Sequence, residues 1–143
     1  MRVDVTTETV VDRPLPEVAA YLTDPGHAPE WYANIVRVAP LTPPPYAVGS
    51  RMTFEARFLK RTLVYTYEIT ALDDHGLTMT THEGPFPMTT VYGWEAVGTG
   101  TRVTLRNHGE PSGFGAVAAP VMRTAMKRAN RADLERLKAV LEG

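Results

Sequence analysis

Tyr65 and Tyr67 stand two residues apart in "TLVYTYEIT", Tyr92 stands in "MTTVYGWEAV", and Asp133 interrupts an apolar helical stripe. These four are the candidate catalytic residues. A tyrosine hydroxyl in apolar surroundings can donate a proton or a hydrogen bond, and a carboxylate there needs a partner or a proton. Asp133 also reads as a structural anchor, held by an ion pair or a backbone bond. Nucleophilic catalysis has little support. Ser50 and Ser112 are the only serines, each beside a glycine, and no G-x-S-x-G elbow is present. The chain has no cysteine, which excludes disulfides, thiolate zinc sites and a cysteine nucleophile. The histidines do not assemble a metal site. His82 and His108 fall two strand spacings apart, about 10 Å, and alternation points both outward, whereas ligands of one metal converge at about 2 Å. His27 and Glu30 can share a helical face but lack a third ligand, and His75 sits in the turn "DDHG". No metal and no cofactor are expected.

The elements that must position these groups follow from periodicity. "RVDVTTETVV" alternates as a strand, and "DRPLPEVAAYLTD" reads as a short helix with Asp12 as N-cap. "TDPGHAPEWY", residues 23–32, is broken by two prolines and a glycine and makes only a turn or a short second helix. "NIVRVAP" is an edge-like strand. Five more strands follow at near-regular spacing, joined by "LKR", "DDHG", "EGPFP" and "GTG", as antiparallel hairpins are. From about Pro120 the pattern turns helical, with Met122, Met126, Ala129, Leu137 and Val140 on one face. One arrangement satisfies this order: an α+β fold in which a curved antiparallel sheet of about seven strands wraps a long C-terminal helix, with two short helices after the first strand. A bent sheet and one helix cannot close tightly everywhere, so a cavity between them is expected.

Bulk properties narrow the function. A length of 143 residues suits one domain, 1–143. With 43% hydrophobic and 22% charged residues the chain is globular rather than disordered, and a net charge of −1 argues against a nucleic-acid binder. No window approaches the ~20 apolar residues of a membrane span, and the N-terminal residues lack a signal-peptide core, so the expected location is cytoplasmic.

At this point the chain resembles the START-like superfamily, also called SRPBCC, with its helix-grip fold, and within it the small bacterial polyketide cyclase/dehydrase branch. The resemblance is carried by "VDRPLPEVAAYLTDP" followed by Trp31, "VGSRMTF" opening the third strand, "EGPF" before a long strand, "GTGTRVTL" as a hairpin, and "DLERLKAVLEG" closing the helix. It covers nearly the whole chain. It implies a cavity for a hydrophobic ligand but not one chemistry, since such proteins include enzymes, carriers and interaction modules. No catalytic motif carries over onto residues here.

Alternation assigns the inward side chains. Met52, Phe54, Ala56 and Phe58 share a face, as do Leu63, Tyr65, Tyr67 and Ile69. Leu77, Met79 and Thr81 follow, then Thr90, Tyr92, Trp94 and Ala96, then Val103, Leu105 and Asn107. The helix meets them with Met122, Met126 and a small Ala129 that leaves room. Trp31, Tyr32 and Phe86 fall at the mouth, on a segment broken enough to open as a lid. The expected ligand contacts are therefore Trp31, Tyr32, Phe54, Tyr65, Tyr67, Thr81, Phe86, Tyr92, Trp94, Asn107, Met122 and Met126. The expected function is binding of an apolar or aromatic, polyketide- or lipid-like small molecule. The alternatives are a cyclase/aromatase or dehydratase working by proton transfer and substrate orientation, and an interaction module without ligand. The sequence leaves the oligomeric state open.

Overall fold

The structure is a computed structural model that describes residues 2–58, 60–84, 86–110 and 119–143, leaving aside the side chains of Phe58, His82 and Glu83. The inward place expected for Phe58, the outward place of His82 and the loop position of Ser112 therefore lie outside the described residues. The alternating segments form β1 (Val3–Val11), β2 (Ile35–Pro40), β3 (Arg51–Phe58), β4 (Arg61–Asp73), β5 (Gly76–Glu83), β6 (Met88–Val97) and β7 (Gly100–Gly109). They make one sheet in the order β1-β7-β6-β5-β4-β3-β2, with every neighbouring pair antiparallel. Successive short connections build β3 to β7. Helix α1 (Leu15–Leu22), a 3-10 turn (Pro25–His27) and helix α2 (Ala28–Trp31) carry the chain from β1 at one edge to β2 at the other.

Local chemistry explains the turns and the bend. The β6–β7 hairpin pairs Val97 with Gly100, and Gly98 takes φ 60, the left-handed conformation a two-residue hairpin loop requires. The register between β4 and β5 shifts at Thr66/Tyr67 and again at Ile69/Ala71. Such bulges bend a strand and raise its twist, and they curve this sheet where it must wrap the helix.

Helix α3 (Ala119–Glu142) buries Met122, Met126, Asn130, Asp133, Leu134, Leu137 and Leu141. Pro120 falls in its first turn, where a missing N–H is harmless. The helix lies against the sheet, and its last turns are tied to β1. Lys138 Nζ donates to the Val10 carbonyl at 2.8 Å, Glu142 accepts from the Asp12 N–H at 2.7 Å, and Arg13 donates to the Glu142 carbonyl at 2.7 Å. No helix among the described residues is long and apolar enough to cross a membrane.

Two sequence expectations change here. Asp12 does not cap α1. The N-cap position is Pro14, without a side-chain bond, and the Asp12 backbone serves the end of α3 instead. Prolines at 14 and 16 set the helix start by fixed φ and absent donors, so no cap is needed. Val140 is not on the buried face, being 39% exposed, and Leu141 takes that place. At 100° per residue Leu141 falls nearer than Val140 to the middle of the face that Met126, Asn130, Leu134 and Leu137 share, so Leu141 is the buried one.

This register is checkable. Leu137 is fully buried, so Leu137→Ala should lower unfolding stability by about 2–5 kcal/mol in a denaturant titration. Val140→Ala should change it by about 0.5 kcal/mol or less. Equal costs would contradict the packing face described.

Candidate functional site

The concave face and α3 border a partly open cavity of about 120 Å³. Ala56 on β3 and Leu63, Tyr65 and Tyr67 on β4 form one wall. Met88 at the start of β6 and Asn107 on β7 form a second, with Phe86 just before β6. Met122, Met126, Ala129, Asn130 and Asp133 close it from α3, and Tyr32, Asn34 and Ile35 border it from the α2–β2 segment. The walls are apolar and aromatic, with Phe86 set edge-on to Tyr65 at 5.7 Å between ring centroids. Polar groups gather where β7 and α3 face one another.

Among the expected ligand contacts, Tyr32, Tyr65, Tyr67, Phe86, Asn107, Met122 and Met126 border this cavity. The others stand away from it. Trp31 is buried, but it packs against Tyr32 at 4.1 Å and Tyr92 at 5.6 Å. Phe54 sits edge-on to Tyr67 at 5.1 Å. Tyr92 and Trp94 lie on the concave face elsewhere in the core, and Trp94 Nε1 donates to the Asp74 carbonyl at 2.8 Å. Thr81 is half-buried, and its hydroxyl accepts from the Met88 N–H at 3.0 Å, steadying the entry to β6. Alternation assigns a face but not a position along it, which is why these residues share the face without sharing the cavity. Asn34, Ile35, Met88 and Asn130 are lining residues that the sequence reading does not single out. Asn130 was the accessible one, since it stands four residues from both Met126 and Leu134 on the buried stripe.

Register builds the polar floor. Thr90 and Asn107 are directly opposed across β6 and β7, and Thr90 Oγ1 donates to Asn107 Oδ1 at 2.6 Å. Threonine has one hydroxyl proton, so the Tyr67 hydroxyl, 3.2 Å from Thr90 Oγ1, donates into this chain. Tyr67 therefore spends its proton inside the protein. Burial pushes its pKa up to about 12, with the Thr90 bond opposing. Tyr65, Tyr32 and Tyr92 are driven up as well, chiefly by burial. The Tyr92 hydroxyl has no partner of good hydrogen-bonding geometry, but the Tyr32 hydroxyl beside it is near enough for a weak bond that draws its pKa partly back. Asn130 Nδ2 is also buried without a partner. An unmet buried donor of this kind costs about 1–3 kcal/mol.

Asp133 is 2% exposed, and its Oδ1 accepts from the Ala33 N–H at 3.0 Å. That bond ties α3 to the segment bordering the cavity, the anchoring role read from its place in the stripe. Burial pushes its pKa up to about 6, while the Ala33 bond and the Arg136 charge pull it partly back.

The stretch 23–32 is less loose than its prolines suggest. Asp24 Oδ1 accepts from the Gly26 N–H at 2.9 Å, the Tyr21 hydroxyl donates to Glu30 at 2.8 Å, and the Tyr21 and His27 rings stack at 4.3 Å. His27 meets Glu30 through Nδ1 at 3.1 Å and Asp24 through Nε2 at 3.6 Å, so the two carboxylates lie on opposite edges of the ring rather than around one point, and Tyr21 bonds to Glu30. No three His, Cys, Asp or Glu side chains among the described residues converge as metal ligands.

The raised pKa of Asp133 has a stability consequence. Its folded-state value lies above the unfolded one, so its contribution favours folding at low pH and is lost as pH rises through about 6. Asn keeps the acceptor for Ala33 and removes the titration. Between pH 4.5 and 8, wild-type unfolding stability should fall relative to Asp133→Asn by about 1–2 kcal/mol, a figure discounted for solvent screening. Parallel pH profiles would show that the carboxyl is not desolvated.

The same geometry recurs among known proteins. The family described as "Polyketide cyclase / dehydrase and lipid transport" matches residues 2–142. No curated protein matches the sequence significantly. The fold is similar to that of a START superfamily protein from Mycobacterium smegmatis, at 12% identity over 97% of each chain and a TM-score of 0.84. It is similar to TTHA0849 from Thermus thermophilus, at 17% identity over 96% of each chain and a TM-score of 0.83. It is also similar to the ZhuI aromatase/cyclase from Streptomyces sp. R1128, at 14% identity over 99% of this chain and 94% of that one, with a TM-score of 0.79. At such identities these likenesses speak to fold alone. The sequence match spans nearly every residue, and with the seven-stranded sheet gripping α3 it establishes that the chain belongs to the polyketide cyclase/dehydrase and lipid-transport family, with the START-like helix-grip fold.

Proposed function

We propose that this protein binds a small apolar or aromatic molecule in the cavity between the sheet and α3. The observation that carries the reading is the cavity itself, about 120 Å³, walled by Leu63, Tyr65, Phe86, Met122 and Met126. Apolar cavities of about 150 Å³ take up a benzene ring. Drug-sized ligands occupy about 300 Å³ or more. The space takes one ring or a short acyl segment, and the remainder of any larger ligand would extend through its open side. Burying ~200 Å² of ligand apolar surface supplies about 5 kcal/mol before association costs, so a bare hydrocarbon should bind with a Kd on the order of a millimolar.

Ethylbenzene and acetophenone should each perturb tryptophan emission, because Trp31 packs directly on Tyr32, which borders the cavity. Trp31→Phe should remove most of that signal. Ala129→Phe should fill the space and weaken binding about tenfold or more while the protein stays folded by circular dichroism. Unchanged affinity in Ala129→Phe would place any binding elsewhere and defeat the reading.

A proton-transfer activity is the second reading, and Asp133 favours it: a buried carboxyl poised near pH 6 beside the cavity suits a general base or acid. In that role Asp133 would take an α-proton from a bound carbonyl compound and return it, passing through an enolate. Deuterium at the methyl group of acetophenone should then wash out faster with protein than without it, followed by NMR, and Asp133→Asn should abolish the excess. An unaccelerated exchange would leave the protein a binder.

A further inference from the structure

Asn130 is the cavity residue that packing does not explain. It is 6% exposed, it borders the cavity, and its Nδ2 has no hydrogen-bond partner. A leucine at this place would continue the buried stripe of Met126 and Leu134 without an unmet donor. The terminal torsion of asparagine is soft, so a turn about χ2 presents the N–H bonds to the cavity. Asn107 stands on the opposing wall, and its Oδ1 is already taken by Thr90, which leaves the N–H side of that amide as its remaining function. Tyr67 offers no proton, having given it to Thr90. Where α3 faces β7 the polar groups are these two amide donors and the Asp133 carboxyl, which shares the Asn130 face one turn along α3, while Tyr32, Asn34 and Tyr65 border the cavity on its other sides.

Donors without acceptors call for a ligand that brings an acceptor. The Asp133 carboxyl beside them, ionised at neutral pH, opposes a second negative charge. Resting on the ligand-binding reading above, we infer that the cavity selects an uncharged single-ring compound bearing a carbonyl oxygen, and that Asn130 is the residue that recognises this oxygen, with Asn107 as the second donor. The recognition is a specificity device distinct from any chemistry at Asp133.

Titration of acetophenone, ethylbenzene and benzoate at pH 7.5 tests this, because the first two differ by a carbonyl in place of a methylene. A ketone loses its bonds to water on entry, so without a partner it must bind more weakly than the hydrocarbon. The expected result is acetophenone binding at least as tightly as ethylbenzene, with benzoate weakest. The acetophenone C=O stretch should shift to lower wavenumber on binding, which reads the hydrogen bond without any substitution. Asn130→Leu should weaken acetophenone about tenfold and leave ethylbenzene unchanged, while its melting temperature holds or rises. The inference is overturned if ethylbenzene binds well and acetophenone much less, if the C=O stretch does not move, or if Asn130→Leu affects both compounds alike. In those cases the binding reading survives and solvent is the partner of Asn130. If neither neutral compound binds up to its solubility, the binding reading falls too.

Discussion

One helix must cover the concave side of a seven-stranded sheet. Seven strands span about 29 Å at ~4.8 Å spacing, whereas a helix with its side chains is about 10–12 Å across. Flat, the sheet would leave most of its apolar face wet. The bulged register of β4 against β5 bends it around α3, and α1 and α2 help to close the open side. Closure is still incomplete. The residual space is a geometric remainder, and its position is set by where α3 carries short or polar side chains, at Ala129, Asn130 and Asp133.

The polar side chains of the cavity are held by two different kinds of bond. The Tyr67–Thr90–Asn107 chain is sheet-borne and follows from strand register. Asp133 is helix-borne and is fixed by a backbone amide of the segment before β2. The two systems face each other without being joined. A fully satisfied polar network would have sealed the core at this level, whereas one left open on both sides holds donors and a carboxyl ready for a third party.

Much of this was legible in the sequence. Strand alternation and short turn-rich connections gave the sheet, and the helical period after Pro120 gave α3. The inward set came out nearly complete because period two is rigid: Tyr65, Tyr67, Tyr92, Trp94 and Asn107 are all buried, whereas Ala96, near the end of β6, is exposed. Two things were not legible. Location along the sheet is one, since Phe54, Tyr92 and Trp94 share a face with Tyr67 but are engaged with Tyr67, Trp31 and the Asp74 carbonyl rather than with the cavity. The width of the buried face of α3 is the other. Val140 lies at the edge of the stripe, and with Asn130 and Leu134 included in the face its middle shifts toward Leu141, which is the buried residue. Asn130 was legible by its spacing, four residues from both Met126 and Leu134, although its type sets it apart from that stripe.

The connection of α3 to β1 also bears on biosynthesis. Every strand leaves the ribosome before the helix that covers them does. Until α3 docks, the sheet presents Tyr65, Tyr67, Tyr92 and Trp94 to the cell as a sticky, aromatic hollow. A hydrophobic ligand captured at that stage would be enclosed rather than admitted, so occupancy in the mature protein need not report the affinity of the finished cavity.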